Sequence, residues 1–266
     1  MHEMMWKILL RFINARFRIG RLFGILFTLN YSLVIVPIAV AIYCGPDFRL
    51  FCGLMLFCLG IAASFLFHEI CHAWVGHNFG HHAREIGLLP IGGFTLFKKC
   101  PETSLADLLI SLAGPLGNGV ICIVLAALEI GLLDGDIIDR LSQTIELLYD
   151  NDTAIENLPF IIVWVNAVLR INVILFVFNL IPAFPLDGGR AFRIFLAHFM
   201  SQYHAANATM YISRVIAVGM TLYSFICDVV SSGCLIDFII VILVATFIWY
   251  GSKMEVVQTR LQYEYA

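Results

Sequence analysis

Charge is what this chain has least of. Only 13% of its 266 residues are Asp, Glu, Lys or Arg, while 61% are hydrophobic. A water-soluble globule of this size needs far more polar surface to wet its exterior, so a soluble fold is excluded and lipid is the solvent that suits this composition. An excess of basic charge is also missing. The formal net charge is −3, and no basic face is long enough to hold a nucleic acid. The eight cysteines (Cys44, Cys52, Cys58, Cys71, Cys100, Cys122, Cys227 and Cys234) form no CxxC pair. Most fall in apolar stretches, where Cys packs as a small apolar residue, so they read as packing residues rather than a disulfide framework. No long Pro/Ser/Gly linker, internal repeat or low-complexity tract divides the chain. One membrane-embedded domain over 1–266 is expected, with a core at 50–199 and flanking spans at 22–43 and 209–251.

What is present is a series of apolar runs, consistent with a mean hydropathy of +0.90. A helix needs about 20 apolar residues to cross a hydrocarbon layer. Candidate spans lie at 22–43, 50–76, 105–130, 160–182, 209–230 and 234–251. The expected fold class is therefore all-α and polytopic, with about six transmembrane helices. Residues 22–43 lack an obvious small-residue cleavage site and are followed by further spans, so they read as an uncleaved helix. Orientation follows from basic residues. Lys7, Arg11, Arg16, Arg18 and Arg21 place the N-terminus in the cytosol, and six crossings return the C-terminus there. That side also collects Arg84, Lys98, Lys99, Arg190, Arg193, Arg214, Lys253 and Arg260, giving 13 of the 16 basic residues. The opposite loop, 134–157, has seven acids against Arg140 alone, a balance of −6. Arg170 sits midway along 160–182, where an unpaired cation costs about 3 kcal/mol. Either the span starts later, near Ile171, or Arg170 finds a partner or snorkels.

The second span ends in His68-Glu69-Ile70-Cys71-His72. Positions i and i+4 share a helix face, so both imidazoles can reach one cation, with Glu69 beside them as a general base. Such ionisable groups are costly in lipid without a task. A catalytic zinc needs a third protein ligand and an open position. Asn179-Leu-Ile-Pro182-Ala-Phe-Pro185-Leu-Asp187-Gly188-Gly189-Arg190 offers one. Two prolines stop the helix, two glycines permit irregular backbone, and such backbone survives at membrane depth only inside protein or beside a wet cavity. Asp187 reads as the third ligand or as the cap of a helix around 188–199. The ligand reading is preferred because the cap leaves the metal under-coordinated. The topology is compatible: at 1.5 Å rise per residue, His68 lies about 27 Å below Leu50, in the cytosolic third of the bilayer, and the fourth span delivers Asp187 to the same side.

These two motifs, HEICH and NLIPAFPLDGG, resemble the site-2 protease family of intramembrane zinc metalloproteases, in a compact form with room for neither a PDZ nor a CBS domain. The likeness covers about 50–199. It implies one Zn²⁺ on His68, His72 and Asp187, and Glu69 as the base in peptide hydrolysis. The substrates implied are membrane proteins, cut within or near a transmembrane helix that unwinds locally. Ser111 to Asn118 resembles the family's AGPxxN stretch, and Leu89 to Phe94 resembles its glycine-containing re-entrant hairpin. Asn118 has two readings, packing glue between spans or a residue that shapes the site. Asn179 could be the same glue, but the resemblance favours an amide that donates to the oxyanion of a tetrahedral intermediate. Gly92, Gly93 and Phe94 form either a plain turn or part of a strand, Ile86 to Phe97, that pairs with substrate. His77, His81 and His82 follow a helix broken at Gly76 and Gly80 and read as solvated. The expected setting is the cell (inner) membrane, multi-pass, with both termini cytosolic. The partners expected are the bilayer and a transmembrane substrate, and no nucleic acid. Rival classes are a membrane zinc transporter or sensor and a catalytically silent scaffold.

Overall fold

A computed structural model describes residues 16–89, 92–98, 104–132, 159–231 and 235–264. The acidic loop expected at 134–157 lies outside the described residues. The chain divides into two compact units. The first comprises 1–100 with 113–176, and the second 101–112 with 177–266.

In the first unit the described residues open as a hairpin of β1 (Arg16–Leu22) and β2 (Ile25–Asn30). A 3-10 turn over Tyr31–Val34 leads into α1 (Ile35–Cys44). Gly45, at φ 54°, reverses the chain, and the Asp47 carboxylate accepts the Leu50 N–H at 3.0 Å to cap α2, Phe48–Asn78. Then follow β3 (Ala83–Leu89) and β4 (Gly92–Phe97). The four strands form one sheet in the order β1-β2-β3-β4. β1/β2 and β3/β4 are antiparallel, whereas β2 and β3 are parallel. Parallel neighbours need a long crossover, and here α1 and α2 supply it. A small core of Ala73, Ala83 and Ile86, flanked by Ile25, Phe27, Leu66 and Phe97, fastens the sheet to α2.

Two helices begin in one unit and end in the other: α3 (Ser104–Leu132) and α4 (Phe160–Leu180). The second unit continues with α5 (Asp187–Leu196), α6 (Gln202–Ser224), a π-helical turn at Phe225–Ser231 and α7 (Leu235–Glu264). Its core gathers Ala183, Leu186, Ala217, Ala245 and Ile248.

Among the described residues, five helical segments are long and apolar enough to cross a bilayer: Phe48–Asn78, Leu105–Leu132, Phe160–Leu180, Gln202–Cys227 and Leu235–Val257. They coincide with the last five expected spans. Only 11% of the most apolar stretch of α2, and the same of α7, is buried by protein, which leaves their side chains for lipid. The first expected span, 22–43, differs. Its beginning is strand β2, and the apolar helix that follows, Tyr31–Cys44, is shorter than the other five. The fold is mostly helical with a small sheet rather than all-α. A short apolar run rich in aromatic and branched residues, such as Leu22 to Leu29, satisfies a buried strand as well as a helix.

Arg170 resolves in favour of a partner. α4 is already helical from Phe160, and the Arg170 Nε donates to Asn166 Oδ1 at 2.9 Å. The Asn166 amide in turn donates to Glu129 Oε1 at 3.0 Å, with Glu129 and Asn166 both buried.

Candidate metal centre

Ser64, His68 and His72 recur every four residues, so α2 carries them on one face, and all three are buried. The His68 and His72 Nε2 atoms lie 3.1 Å apart, and their rings meet edge to face. Two nitrogens bound at about 2.0–2.1 Å to one tetrahedral zinc stand about 3.3 Å apart, so this pair is spaced as donors facing a common small cation. Gly114 of α3 keeps the space in front of them open. A Cβ there would sit 2.3 Å from His72 Nε2 and 2.5 Å from His68 Nε2. The donor chemistry and the clearance both suit a metal ion.

The tautomer of His68 is set by a chain of hydrogen bonds that starts at a backbone carbonyl. Val168 C=O can only accept, and it takes a bond from Asn172 Nδ2 at 2.8 Å. The same amide donates to Ser64 Oγ at 2.9 Å, whose own proton goes to Gly60 C=O. Asn172 Oδ1 is thereby left to accept from Asn118 Nδ2 at 3.0 Å. Asn118 Oδ1 then faces His68 Nδ1 at 2.7 Å. An amide oxygen cannot donate, so Nδ1 carries the proton and Nε2 keeps its lone pair for a metal. Asn118 and Asn172 are fully buried, so the polar groups of this chain are satisfied within the protein.

Glu69 is held from β4. Thr95 Oγ1 donates to Glu69 Oε2 at 2.7 Å and also lies 3.2 Å from the Glu69 carbonyl oxygen. Gly93 admits the carboxylate, since a Cβ there would stand 2.5 Å from Glu69 Cγ and 2.9 Å from Oε1. Gly92 has φ 152°, at the hairpin bend. The ring of Phe94 lies across Gly87 and beneath the Arg16 guanidinium, 4.4 Å from its carbon. α2 continues through Gly76 to Asn78 rather than breaking at that glycine, and His77 in its last turn faces His82 beyond the helix end, both exposed, Nδ1 to Nδ1 at 2.9 Å.

Asn179 and Asp187 belong to the second unit. Asn179 occupies the last turn of α4. The segment after it turns through Ile181 to Leu186, contains a cis Phe184–Pro185 bond, and is anchored by the Phe184 N–H donating to Ser213 Oγ at 2.8 Å. Asp187 is the first residue of α5, and the N-cap is Leu186, without a side-chain cap bond. Gly188 and Gly189 let α5 press against the preceding turn, as a Cβ on either would come within 2.4 Å of backbone.

Reading the sequence alone misses Thr95, Asn172 and Ser64, and leaves Gly114 without a role. Ser64 did leave a signal, being four residues before His68 on the same stripe. Asn172, a polar residue inside an apolar span, left another. Thr95 left none, because its partner is 26 residues away.

Comparison with known proteins agrees with this chemistry. The zinc metalloprotease MJ0392 of Methanocaldococcus jannaschii is 29% identical over 245 residues, covering 91% of this chain and 61% of its own. YwhC of Bacillus subtilis is 29% identical over 154 residues, 49% of this chain and 64% of its own. The chain thus spans less than two thirds of either relative. A solved structure, the site-2 protease from Methanocaldococcus jannaschii, superposes with a TM-score of 0.59 at 27% identity, over 91% of this chain and 95% of that one. The description of peptidase family M50 matches residues 56–222, well over half of the sequence and spanning both motifs, and this chain belongs to that family.

Proposed function

We propose that this protein is an intramembrane zinc metalloprotease that hydrolyses peptide bonds within or near transmembrane segments of membrane-protein substrates. The observation that carries the reading is the facing pair of His68 and His72 Nε2 atoms, cleared by Gly114, next to a Glu69 carboxylate held by Thr95. His68, His72 and Asp187 are a donor set that could hold one metal ion. Zinc, when bound, supplies a Lewis acid that polarises a carbonyl and lets water deprotonate near neutral pH. Glu69 takes the proton of the attacking water and returns it to the leaving nitrogen. Thr95 keeps one carboxylate oxygen occupied, so the other faces the reaction. Asn118 holds the ring of His68 in register, and the Asn179 amide donates to the oxyanion.

The substrate helix must unwind first, because a helical carbonyl is already hydrogen-bonded. β4 lies at an edge of the sheet order and bears Gly93 and Thr95. An unwound substrate added as a further strand would pass beside Glu69, with Gly92, Gly93 and Phe94 along it. In this reading the two units act as one membrane-embedded protease domain. The termini face the cytosol of a cell (inner) membrane, and the site lies in its cytosolic third.

The test is co-expression with single-span membrane proteins. Glu69→Gln should keep its zinc and leave substrate uncut, whereas a zinc transporter or sensor has no use for that base. Unchanged cleavage by Glu69→Gln removes the proteolytic reading. Full zinc occupancy in Asp187→Ala would mean that the third ligand is another residue.

A further inference from the structure

The sheet of the first unit carries a charged cavity that the chemistry above does not use. A register shift between Arg18 and Gly20 resets the alternation of β1. Arg16, Arg18 and Arg21 consequently pair with Asn30, Thr28 and Leu26 and share one face, while Phe17 and Leu22 point to the other. The basic face, with Arg84 and Lys98 from β3 and the end of the hairpin, lines a cavity of about 450 Å³ in which, among the described residues, Glu85 is the single carboxylate. Glu85 is already engaged, by Arg16 at 2.9 Å and Thr28 at 2.8 Å. Arg18, Arg21, Arg84 and Lys98 form no ion pair among the described residues. Four cations around one concavity call for an anion, and guanidinium forks suit phosphate oxygens.

A second observation points to lipid as the source of that phosphate. Phe23, at the hairpin tip, has φ 51° and is 95% exposed, followed by Gly24 at φ 80°. Such a two-residue turn favours Asn-Gly, and a bulky residue there gains nothing from packing within the protein. Phe17, Ile19 and Leu22 are each more than half exposed as well. β2 runs directly into the apolar helix Tyr31–Cys44, so an apolar segment begins where this hairpin ends. We infer that the β1–β2 hairpin is an interfacial anchor. In this arrangement Phe23 and the apolar side of β1 enter the acyl boundary, while Arg18, Arg21, Arg84 and Lys98 bind the phosphate of an anionic phospholipid headgroup. The inference is independent of the protease reading.

The experiment uses the full chain in a neutral detergent, with thermal unfolding followed during titration. The four probes are short-chain phosphatidylglycerol, phosphatidylcholine of the same chain length, glycerol phosphate and inorganic phosphate. Phosphatidylglycerol should raise the unfolding temperature at concentrations where the other three do not. The double variant Arg18→Gln/Arg21→Gln, both residues being exposed, should keep its fold by circular dichroism and bind phosphatidylglycerol about 30-fold more weakly. Phe23→Gly, which relieves the positive φ, should weaken the lipid and leave glycerol phosphate unaffected. Equal response to phosphatidylcholine, or wild-type affinity in the double variant, overturns the proposal. Inorganic or glycerol phosphate binding as tightly as the lipid would make this a soluble-anion site and overturn it equally.

Discussion

At the residue scale, the demands of the site fall on atoms that are absent as much as on those present. Gly114 contributes only clearance, so Gly114→Ala drives a methyl group to within 2.5 Å of both imidazole nitrogens. The rings must turn aside, and a displacement of about 1 Å costs about 100-fold in rate. We expect that loss in a cleavage assay, with zinc content falling in parallel and helix content unchanged. Asn118 and Asn172 act through His68, at one and two removes. Asn118→Ala should weaken zinc binding by about 10–100-fold, read by competition with a chelator, and Asn172→Ala should produce a smaller loss in the same direction. If Asn172→Ala leaves zinc affinity untouched, the chain from Val168 does not set the tautomer. The HExxH spacing made His68, Glu69 and His72 legible in the sequence, because a helix converts a spacing of four into a shared face. Gly114 and Asn172 were not legible in these roles, since each acts on a partner at least 42 residues away.

At the scale of elements, α5 begins where it does because two glycines allow its first turn to touch the turn before it. Gly188→Ala places a Cβ 2.4 Å from the Ile181 carbonyl oxygen, which is backbone and cannot swing away. Overpacking of this kind costs about 1–3 kcal/mol, so a lower unfolding temperature is expected in detergent. The sheet has its own electrostatic contribution. Burial pushes the Glu85 carboxyl up, but hydrogen bonds from Thr28 and Arg16 and the charges of Arg16 and Arg84 outweigh it and hold the group below its ordinary value of 4.5. A carboxylate depressed in the folded state stabilises the fold above its unfolded value, and that stabilisation is lost as the pH falls through the folded value. Wild type should therefore be more stable than Glu85→Gln at neutral pH, and the difference should vanish as the pH drops through the carboxylate range. Thermal unfolding of both proteins across that range checks the sign. The contribution is modest, because Arg16 is about one third exposed and screened.

For the whole molecule, the governing fact is the solvent. Among the described residues, five apolar helices leave most of their surface uncovered by protein and open to lipid, so the protein must satisfy its polar groups internally wherever lipid surrounds it. Asn166 does this for two ionisable side chains at once, accepting from Arg170 and donating to Glu129. Asn166→Ala removes the hydrogen bond that reaches the buried Glu129 carboxylate, and one of the bonds of Arg170. A loss of about 1–3 kcal/mol is expected, visible as a lower unfolding temperature of the purified protein. An unchanged midpoint would mean that water already serves those groups.

Sequence by itself determined the membrane class, five of the helices, the metal-binding motif and the family. Each of these follows from a local requirement: a length of apolar chain that matches a bilayer, or a spacing that matches a helical turn. Tertiary structure decided the rest. Whether Leu22 to Leu29 becomes strand or helix depends on β3 lying alongside to accept its hydrogen bonds. The ring nitrogen His68 presents depends on an asparagine 54 positions beyond Asn118, and the orientation of Glu69 depends on a threonine in another element. Such pairings bring together groups far apart in the chain, and no local pattern encodes them, because their energy exists only once both partners have been buried together.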